Sequence, residues 1–477
     1  MTEIIKTDIC IIGGGSGGLS LAAGAVQMGA RVVLVEGHKM GGDCLNYGCV
    51  PSKSLLAAAH HAQSVPSGFG ITAPPRLVDF AGVMDHVAAI IADIAPHDSV
   101  ERFRGLGVKV IEAKGQFLDS RTLHVKQGGE TGDTHIRAKR FVIATGSVPL
   151  IPPIAGLADV PYLTNETIFS LRTAPSHLLI IGAGPIGVEM AQAFVRLGCK
   201  VSVCAADDLL AREDRDLSAT LATYLRDEGV ALHLNQQVQQ VTQINNEIEI
   251  KTTDTTLRGS HIMIAAGRQP NIEDLALDMA GIETSGRTPY IKTDARLRTS
   301  NKRVFAIGDV AGAAQFTHAA NYHAGIVLRN ILFRLSAKVN HKVMPRVTYT
   351  SPEFAHVGLT QIQAEEQGLF AQALTRDFTD NDRAKAERDT KGTIKLILGK
   401  RSRILGVSIL GRNAGDLLAV WTLALSQNLS LSAMAGVIAP YPTRGEANKH
   451  IAGAYYTPRL FSPRTRGIVR FLLSFMR

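Results

Sequence analysis

Unbroken apolar runs, with no polar position between them, mark the first half of the chain. Ile9-Cys10-Ile11-Ile12 follows Asp8, and Val32-Val33-Leu34-Val35 follows Arg31 and ends at Glu36. Runs of this kind predict strands buried on both faces of a parallel sheet. Glycines and an Ala-rich helical stretch lie between them. The plan recurs in Leu178-Leu179-Ile180-Ile181, a helix through Arg196, and Lys200-Val201-Ser202-Val203-Cys204. Phe141-Val142-Ile143-Ala144-Thr145-Gly146 and Ile262-Met263-Ile264-Ala265-Ala266-Gly267 are matching strand ends, one after each unit. Val304 to Asp309 predicts a strand ending in an acid. Pro66 to Arg76 reads as a Pro/Gly loop, and Thr122 to Arg137 as a polar hairpin around Gly128-Gly129. From about Pro345 the pattern becomes strand-rich, then helical from Ala414 to Gln427, which predicts a separate α+β domain.

The glycines between strand and helix give these units a chemistry. Gly13-x-Gly15-x-x-Gly18 and Gly182-x-Gly184-x-x-Gly187 each sit in a full strand-turn-helix-strand context, about 170 positions apart. The first glycine permits a tight turn, the second lets backbone approach a pyrophosphate, and the third lets helix and strand close up. The helix N-terminus then offers unpaired N–H groups to the phosphates. The chain thus predicts an α/β protein with two Rossmann-like domains, each binding one dinucleotide. Glu36 ends the second strand of the first unit, where a ribose hydroxyl needs an acceptor. Ala205 takes that place in the second unit, and Asp207 and Asp208 follow. Two acids repel a 2′-phosphate, so NADH is favoured over NADPH.

Composition narrows the setting. A chain of 477 residues exceeds one core and suggests about two to four domains. With 51 Lys+Arg against 42 Asp+Glu the formal charge is +9, an attraction for phosphates and anionic surfaces. No dense basic tract with interleaved aromatics runs through the body of the chain, which argues against nucleic acid. No signal-peptide pattern and no run of about twenty apolar residues is present. Five cysteines are too few for a secreted disulfide scaffold and point to a reducing, cytoplasmic setting.

Two of those cysteines are close: Asp43-Cys44-Leu45-Asn46-Tyr47-Gly48-Cys49-Val50-Pro51-Ser52-Lys53. In a reducing compartment a close pair reads as catalytic; two unrelated core cysteines or a metal site are the alternatives. No His or second Cys pair accompanies them to complete a zinc site. Pro51 fits the first turn of a helix through Ala59, which places Cys49 just before a helix N-terminus. That partial positive charge favours a thiolate, and Lys53 one turn on adds to it. Cys44 is expected in the preceding loop. Cys10, Cys199 and Cys204 lie in or beside apolar strands and read as small core residues.

The chain resembles the flavin-dependent pyridine nucleotide-disulfide oxidoreductases, from about Thr7 to Gly453. The likeness rests on the first fingerprint with Glu36, the Cys-x4-Cys box with Pro51-Ser52-Lys53, and Ala144-Thr145-Gly146. It continues through the second fingerprint with Val188-Glu189, Ala266-Gly267-Arg268-x-Pro270-Asn271, Gly308-Asp309 and Tyr441-Pro442-Thr443-Arg444-Gly445-Glu446. It implies an FAD domain in two pieces, residues 1–150 and 273–344, around an NAD(P) domain, 151–272, with a C-terminal dimerisation domain, 345–457, and hence a homodimer. Gly13, Gly15, Gly18, Glu36, Thr145, Gly146 and Asp309 are then the FAD contacts, Asp309 at the ribityl chain. Gly182, Gly184, Gly187 and Gly267 serve NAD(P)H. Lys53 lies by the flavin and pairs with Glu189. Electrons pass from NAD(P)H through FAD to a Cys44–Cys49 disulfide and on to a small-molecule disulfide or other acceptor. Cys49 is the flavin-side thiolate and Cys44 the interchange thiol.

Three departures qualify that picture. Disulfide-specific members carry a His before the Pro-Thr and a Glu after it to orient the His; here Glu446 is kept and Tyr441 replaces the His. A phenol, with a pKa near ~10 against ~6.5 for imidazole, is a poor base at neutral pH. Mercuric reductase likewise carries Tyr, so a metal reductase is the alternative, yet this chain has no Cys after Cys204 to deliver the metal. Asp43 stands where Thr is usual, either raising the Cys44 pKa or as a solvated loop acid. Residues 458–477 hold Arg459, Arg464, Arg466, Arg470 and Arg477 and no acid. Ile468, Phe471, Leu472, Phe475 and Met476 supply an apolar face. That pattern fits peripheral contact with the inner face of a membrane, a partner, or the chain's own subunit. A flavoprotein kept for redox sensing is the non-catalytic alternative.

Overall fold

The computed structural model describes residues 3–63, 69, 77–126, 133–312 and 314–476. They form two compact units, Met1–Ala206 with Val230–His341, and Asp207–Gly229 with Lys342–Arg477.

The first unit is built on a mixed seven-stranded sheet and a parallel four-stranded sheet. In one, Lys109–Glu112, Val32–Glu36, Glu3–Ile12 and Asp133–Ile143 lie side by side, and Val304–Ala306 joins the end of the last. Ile9, Ile11 and Leu34 enter one core, while Cys10, Val33 and Val35 enter another. Both faces are covered, which is why these runs carry no polar position. Thr122–Lys126 pairs antiparallel with the start of Asp133–Ile143. The arms of the expected hairpin are therefore present, while its turn at Gly128-Gly129 lies outside the described residues. So does the loop expected over 66–76, apart from Phe69.

The second sheet runs Val230–His233, Lys200–Cys204, His177–Ile181, His261–Ile264, all parallel. Each fingerprint strand thus has its later, look-alike strand as a neighbour. A two-stranded link, Ser147–Pro149 with Arg268–Pro270, joins the segments leaving those strands. Thr145 Oγ1 donates to the Asn271 carbonyl at 2.7 Å, and Asn271 N–H to the Gly146 carbonyl at 3.0 Å. The strand expected to reach Asp309 stops at Ala306. Gly308, at φ +70°, turns the chain into a short 3-10 helix, Gly308–Ala311, that carries Asp309.

The second unit is a five-stranded antiparallel sheet in the order Arg346–Thr348, Glu353–Gly358, Ile404–Gly411, Thr393–Gly399, Phe370–Asp377. Helices Ala414–Ser426 and Glu446–Ala454 share its core around Trp421, whose indole N–H donates to Asn448 Oδ1 at 2.7 Å. The helix Arg215–Asp227 belongs to this unit, although residues 207–229 fall within the 151–272 span of the sequence reading. Its cap, Asp214, accepts from Lys395 on the strand Thr393–Gly399, and Asp216 lies 2.6 Å from the same ammonium. The side chains of Lys395 and Asp214 are only 4% and 2% exposed, so each charge depends on the other. Arg346 adds a two-pronged contact to Glu213. Beyond Tyr456 the chain forms a final helix, Pro463–Leu473, capped by Ser462.

Candidate functional site

Both fingerprint turns have the geometry that their glycines predict. Gly13 and Gly182 hold φ of +111° and +114°, and a Cβ at either meets a carbonyl oxygen within 2.4 Å. At Gly18 a Cβ would sit 1.9 Å from the Gly13 oxygen, and at Gly187 it would sit 2.0 Å from the Gly182 oxygen. The helices that follow, Ser16–Gln27 and Pro185–Arg196, start at Gly15 and Gly184 with no side-chain cap. Their first N–H groups stay available to phosphate oxygens.

One cleft of the first unit brings most of the sequence-predicted residues together. Gly13, Gly15 and Glu36 line it, together with Thr145, Gly146 and Asp309 and with Cys44, Cys49, Lys53 and Glu189. Glu36 accepts the Gly14 and His38 N–H groups and remains beside the glycine turn. An uncapped helix start, a terminal acid and a run of small residues leading to the thiols fit an extended dinucleotide such as FAD. Gly182, Gly184 and Gly187 belong to the second turn, Gly267 follows the strand His261–Ile264, and none of them lines this cleft. Tyr441 and Glu446 lie in the C-terminal unit. There the Tyr441 hydroxyl donates to Asp382 at 3.1 Å, which raises the phenol pKa, while Glu446 accepts from the Thr443 N–H.

The thiols are positioned by two helix starts. Gly41 and Gly42, at φ +84° and +59°, turn the chain into a one-turn helix, Gly42–Asn46, and Cys44 sits on it rather than in a loop. The next helix, Cys49–Gln63, begins at Cys49 itself. The two sulfurs are free thiols in hydrogen-bonding contact, and Thr317 Oγ1 lies 3.3 Å from Cys49 Sγ. The bond from Cys44 draws the Cys49 pKa down to about 6; Thr317 and Lys53 assist, against the opposing pull of burial and Asp43. Cys44 moves strongly upward, chiefly through the same bond and then through burial. One thiol is thus set to ionise and the other to stay protonated. Lys53 Nζ is 2.8 Å from Glu189, a carboxylate almost wholly buried on the second fingerprint helix. Cys10, Cys199 and Cys204 are buried, and burial raises each thiol pKa, in keeping with core roles.

Asp43 is partly exposed, its side chain 39% accessible, but it is not alone. Its Oδ1 accepts from Asn165 Nδ2 at 2.9 Å and lies 3.2 Å from Arg268 Nη2. Arg268 Nε donates to Ser147 Oγ at 2.7 Å, and Ser147 Oγ donates to Asp309 at 2.6 Å. Burial raises the Asp309 pKa, with Ser147 and Arg268 opposing. A polar chain therefore runs from the cysteine box to Asp309, an acid lining the cleft. Sequence reasoning missed Thr317, Ser147 and Asn165 as site residues, and it quoted Arg268 only as part of a motif. The one available signal was position: Thr317 follows Asp309 by eight residues and opens the helix Thr317–Leu332.

The comparisons with known proteins agree with this arrangement. Residues 7–324 match the family model of the pyridine nucleotide-disulphide oxidoreductases, and residues 344–452 match the dimerisation domain of that family. A mercuric reductase of Streptomyces lividans is 35% identical over 94% of this chain and 96% of its own length. A dihydrolipoyl dehydrogenase of Bacillus subtilis (strain 168) is 31% identical over the same shares. The Cu(II) complex of the HOCl-induced flavoprotein disulfide reductase RclA from Escherichia coli superposes with a TM-score of 0.85. That match has 28% identity and covers 94% of this chain and 99% of that one. The chain belongs to the FAD- and NAD(P)H-dependent pyridine nucleotide-disulphide oxidoreductases.

Proposed function

We propose that the protein is a cytoplasmic homodimeric reductase that uses Cys44 and Cys49 as its redox pair to deliver two electrons to a small-molecule acceptor. The thiol pair carries this reading: two sulfurs in contact, one drawn toward ionisation and one held protonated, beside Lys53 and Thr317. FAD, when bound, supplies two-electron transfer between a nicotinamide and this pair. Cys49, at the start of its helix, is the thiol retained beside the cofactor. Cys44 passes its proton to the Cys49 thiolate across their hydrogen bond and attacks an acceptor disulfide, forming a mixed disulfide and expelling one thiolate, which takes that proton from Cys49. Cys49 then displaces the second thiol and closes the Cys44–Cys49 bond. Lys53 holds positive charge near Cys49, and Glu189 holds Lys53 in place. Asp309 and Glu36 would accept hydrogen bonds from bound FAD, and Thr145 and Gly146 would line its site. Tyr441 serves as a hydrogen-bond donor or shapes a pocket, since its raised pKa does not suit a base; Glu446 opens the helix Glu446–Ala454 and holds the Thr443 N–H of the segment that carries Tyr441.

Gly182, Gly184, Gly187 and Gly267 are assigned to the nicotinamide nucleotide. We infer NADH as donor, because Ala205 follows the strand Lys200–Cys204 at the place where a basic residue would attract a 2′-phosphate. The dimerisation domain supports the homodimer. Peripheral membrane contact through residues 458–477 rests on the tail's own structure and not on the redox site.

A second reading has equal support from relatives: the acceptor is a soft metal ion, handled by the same two thiolates. The similar mercuric reductases and the copper complex of the structural neighbour favour it. An acceptor screen with purified flavoenzyme, across disulfides, quinones, oxygen, mercuric and cupric ions, separates the readings. Anaerobic NADH titration should develop a long-wavelength absorbance from the Cys49 thiolate against the flavin. Its absence in wild type, with turnover unchanged in Cys44→Ser, would remove the redox-pair assignment and leave a sensing role.

A further inference from the structure

We propose that residues 458–477 seat the enzyme on an anionic lipid surface, with the helix Pro463–Leu473 lying flat among the headgroups. The helix is well defined at its start: the Ser462 hydroxyl accepts from the Thr465 N–H at 3.2 Å, and Pro463 opens the first turn. None of its residues is buried. Exposure of its large apolar side chains runs from 47% at Val469 to 63% at Phe471, and Phe475 and Met476 just beyond are at 69% and 76%. A surface of this kind asks for a cover.

The distribution of residues selects the cover. At 100° per residue, Arg466, Gly467 and Arg470 form one strip, while Arg464 and Thr465 in the first turn project into the apolar arc. From the second turn on, Ile468, Val469, Phe471, Leu472 and Leu473 occupy an arc of roughly 200° around the rest. A protein groove reads a stripe at i, i+3, i+4 and i+7 and leaves the flanks wet. Fluid acyl chains cover a wide arc with no fixed partner, while the arginines reach the headgroup phosphates. Charge points the same way: Arg459, Arg464, Arg466 and Arg470 are present between Pro458 and Met476, and no acid offsets them. Eleven residues span about 16 Å, half a bilayer core, so the helix lies on the surface rather than crossing it. No helix among the described residues is long and apolar enough to cross. The tail also lies past the dimerisation domain, which ends at residue 452. A dimer presents two tails, and the second binds at the high effective concentration set by the first.

Sedimentation with vesicles tests this, using the full-length flavoenzyme and a chain lacking residues 458–477. The full chain is expected to partition into vesicles of phosphatidylcholine with phosphatidylglycerol about tenfold or more better than into phosphatidylcholine alone. Raising the salt should weaken that preference. The shortened chain, the double variant Arg466→Glu with Arg470→Glu, and the double variant Phe471→Ser with Phe475→Ser should each lose binding. All three should keep bound flavin and NADH turnover, so a failure of the redox reading stays separate. Equal vesicle binding with and without the tail, or none by the full chain, would overturn the proposal. A shortened chain that sediments as a monomer, from a parent that ignores vesicles, would instead assign the tail to the second subunit.

Discussion

Cys49 owes its character to three neighbours that no single segment supplies: Cys44 five residues earlier, Lys53 one turn later, and Thr317 from a distant helix. A pKa drawn down to about 6 has a direct pH signature. The long-wavelength band of the two-electron-reduced enzyme should be full above that value and fade as pH falls through it, which a spectrophotometric titration reads. Loss of the band near pH 9 would mean that the neighbours exert no net pull. Asp43 acts in the opposite sense, its charge raising both thiols. Asp43→Asn should therefore speed alkylation of Cys44 at neutral pH by about threefold, with Arg268 left facing the pair. An unchanged rate would reduce Asp43 to a tether for Asn165 and Arg268. The Cys box itself was legible in the sequence because Pro51 and the helix after it announce a helix start. The partners of Asp43 were not, since Arg268 lies more than two hundred residues away and spacing says nothing about what folds back.

Among the elements, the strand-turn-helix units were the most legible, for a steric reason. Where a Cβ would stand 1.9 Å from a carbonyl oxygen, glycine is the residue that fits, so Gly18 and Gly187 report their own packing. The short helix under Cys44 was invisible, because five residues are too few to show a period. The strand before Asp309 was read too long, because Ile307 is as apolar as the strand yet precedes the left-handed turn at Gly308. The two glycine turns should fail separately. Gly187→Ala forces the second turn apart while leaving the first intact. The purified variant should keep its flavin, by absorbance ratio, and lose at least about tenfold in the rate of reduction by NADH, by stopped flow. Loss of flavin along with that rate would mean that the two turns do not divide the nucleotides as assigned.

For the whole molecule, the grouping of residues 207–229 with the C-terminal sheet was beyond sequence reading. An amphipathic helix reveals which face it buries and not what covers it. Lys395 is the lock. Burial alone would depress its pKa, but the bonds from Asp216 and Asp214 outweigh that and raise it. The pairing contribution is therefore complete below the unfolded lysine value, near ~10.4, and disappears as pH rises through the higher folded value. Lys395→Ala leaves Asp214 buried without its cation and should cost about 3–5 kcal/mol, measured by denaturant unfolding at pH 7. A change under about 1 kcal/mol would show that water replaces the ammonium.

Because Asp207–Gly229 is held by Lys395 and Arg346, the nucleotide-binding portion is not one uninterrupted stretch of polypeptide that can be lifted out. A gene cut before Lys342 would produce Arg215–Asp227 without the sheet it was made to rest on. Any fragment meant to stand alone would still need a crossover from Ala206 back to Val230, because the strands Lys200–Cys204 and Val230–His233 run parallel and the chain must return the length of the sheet between them.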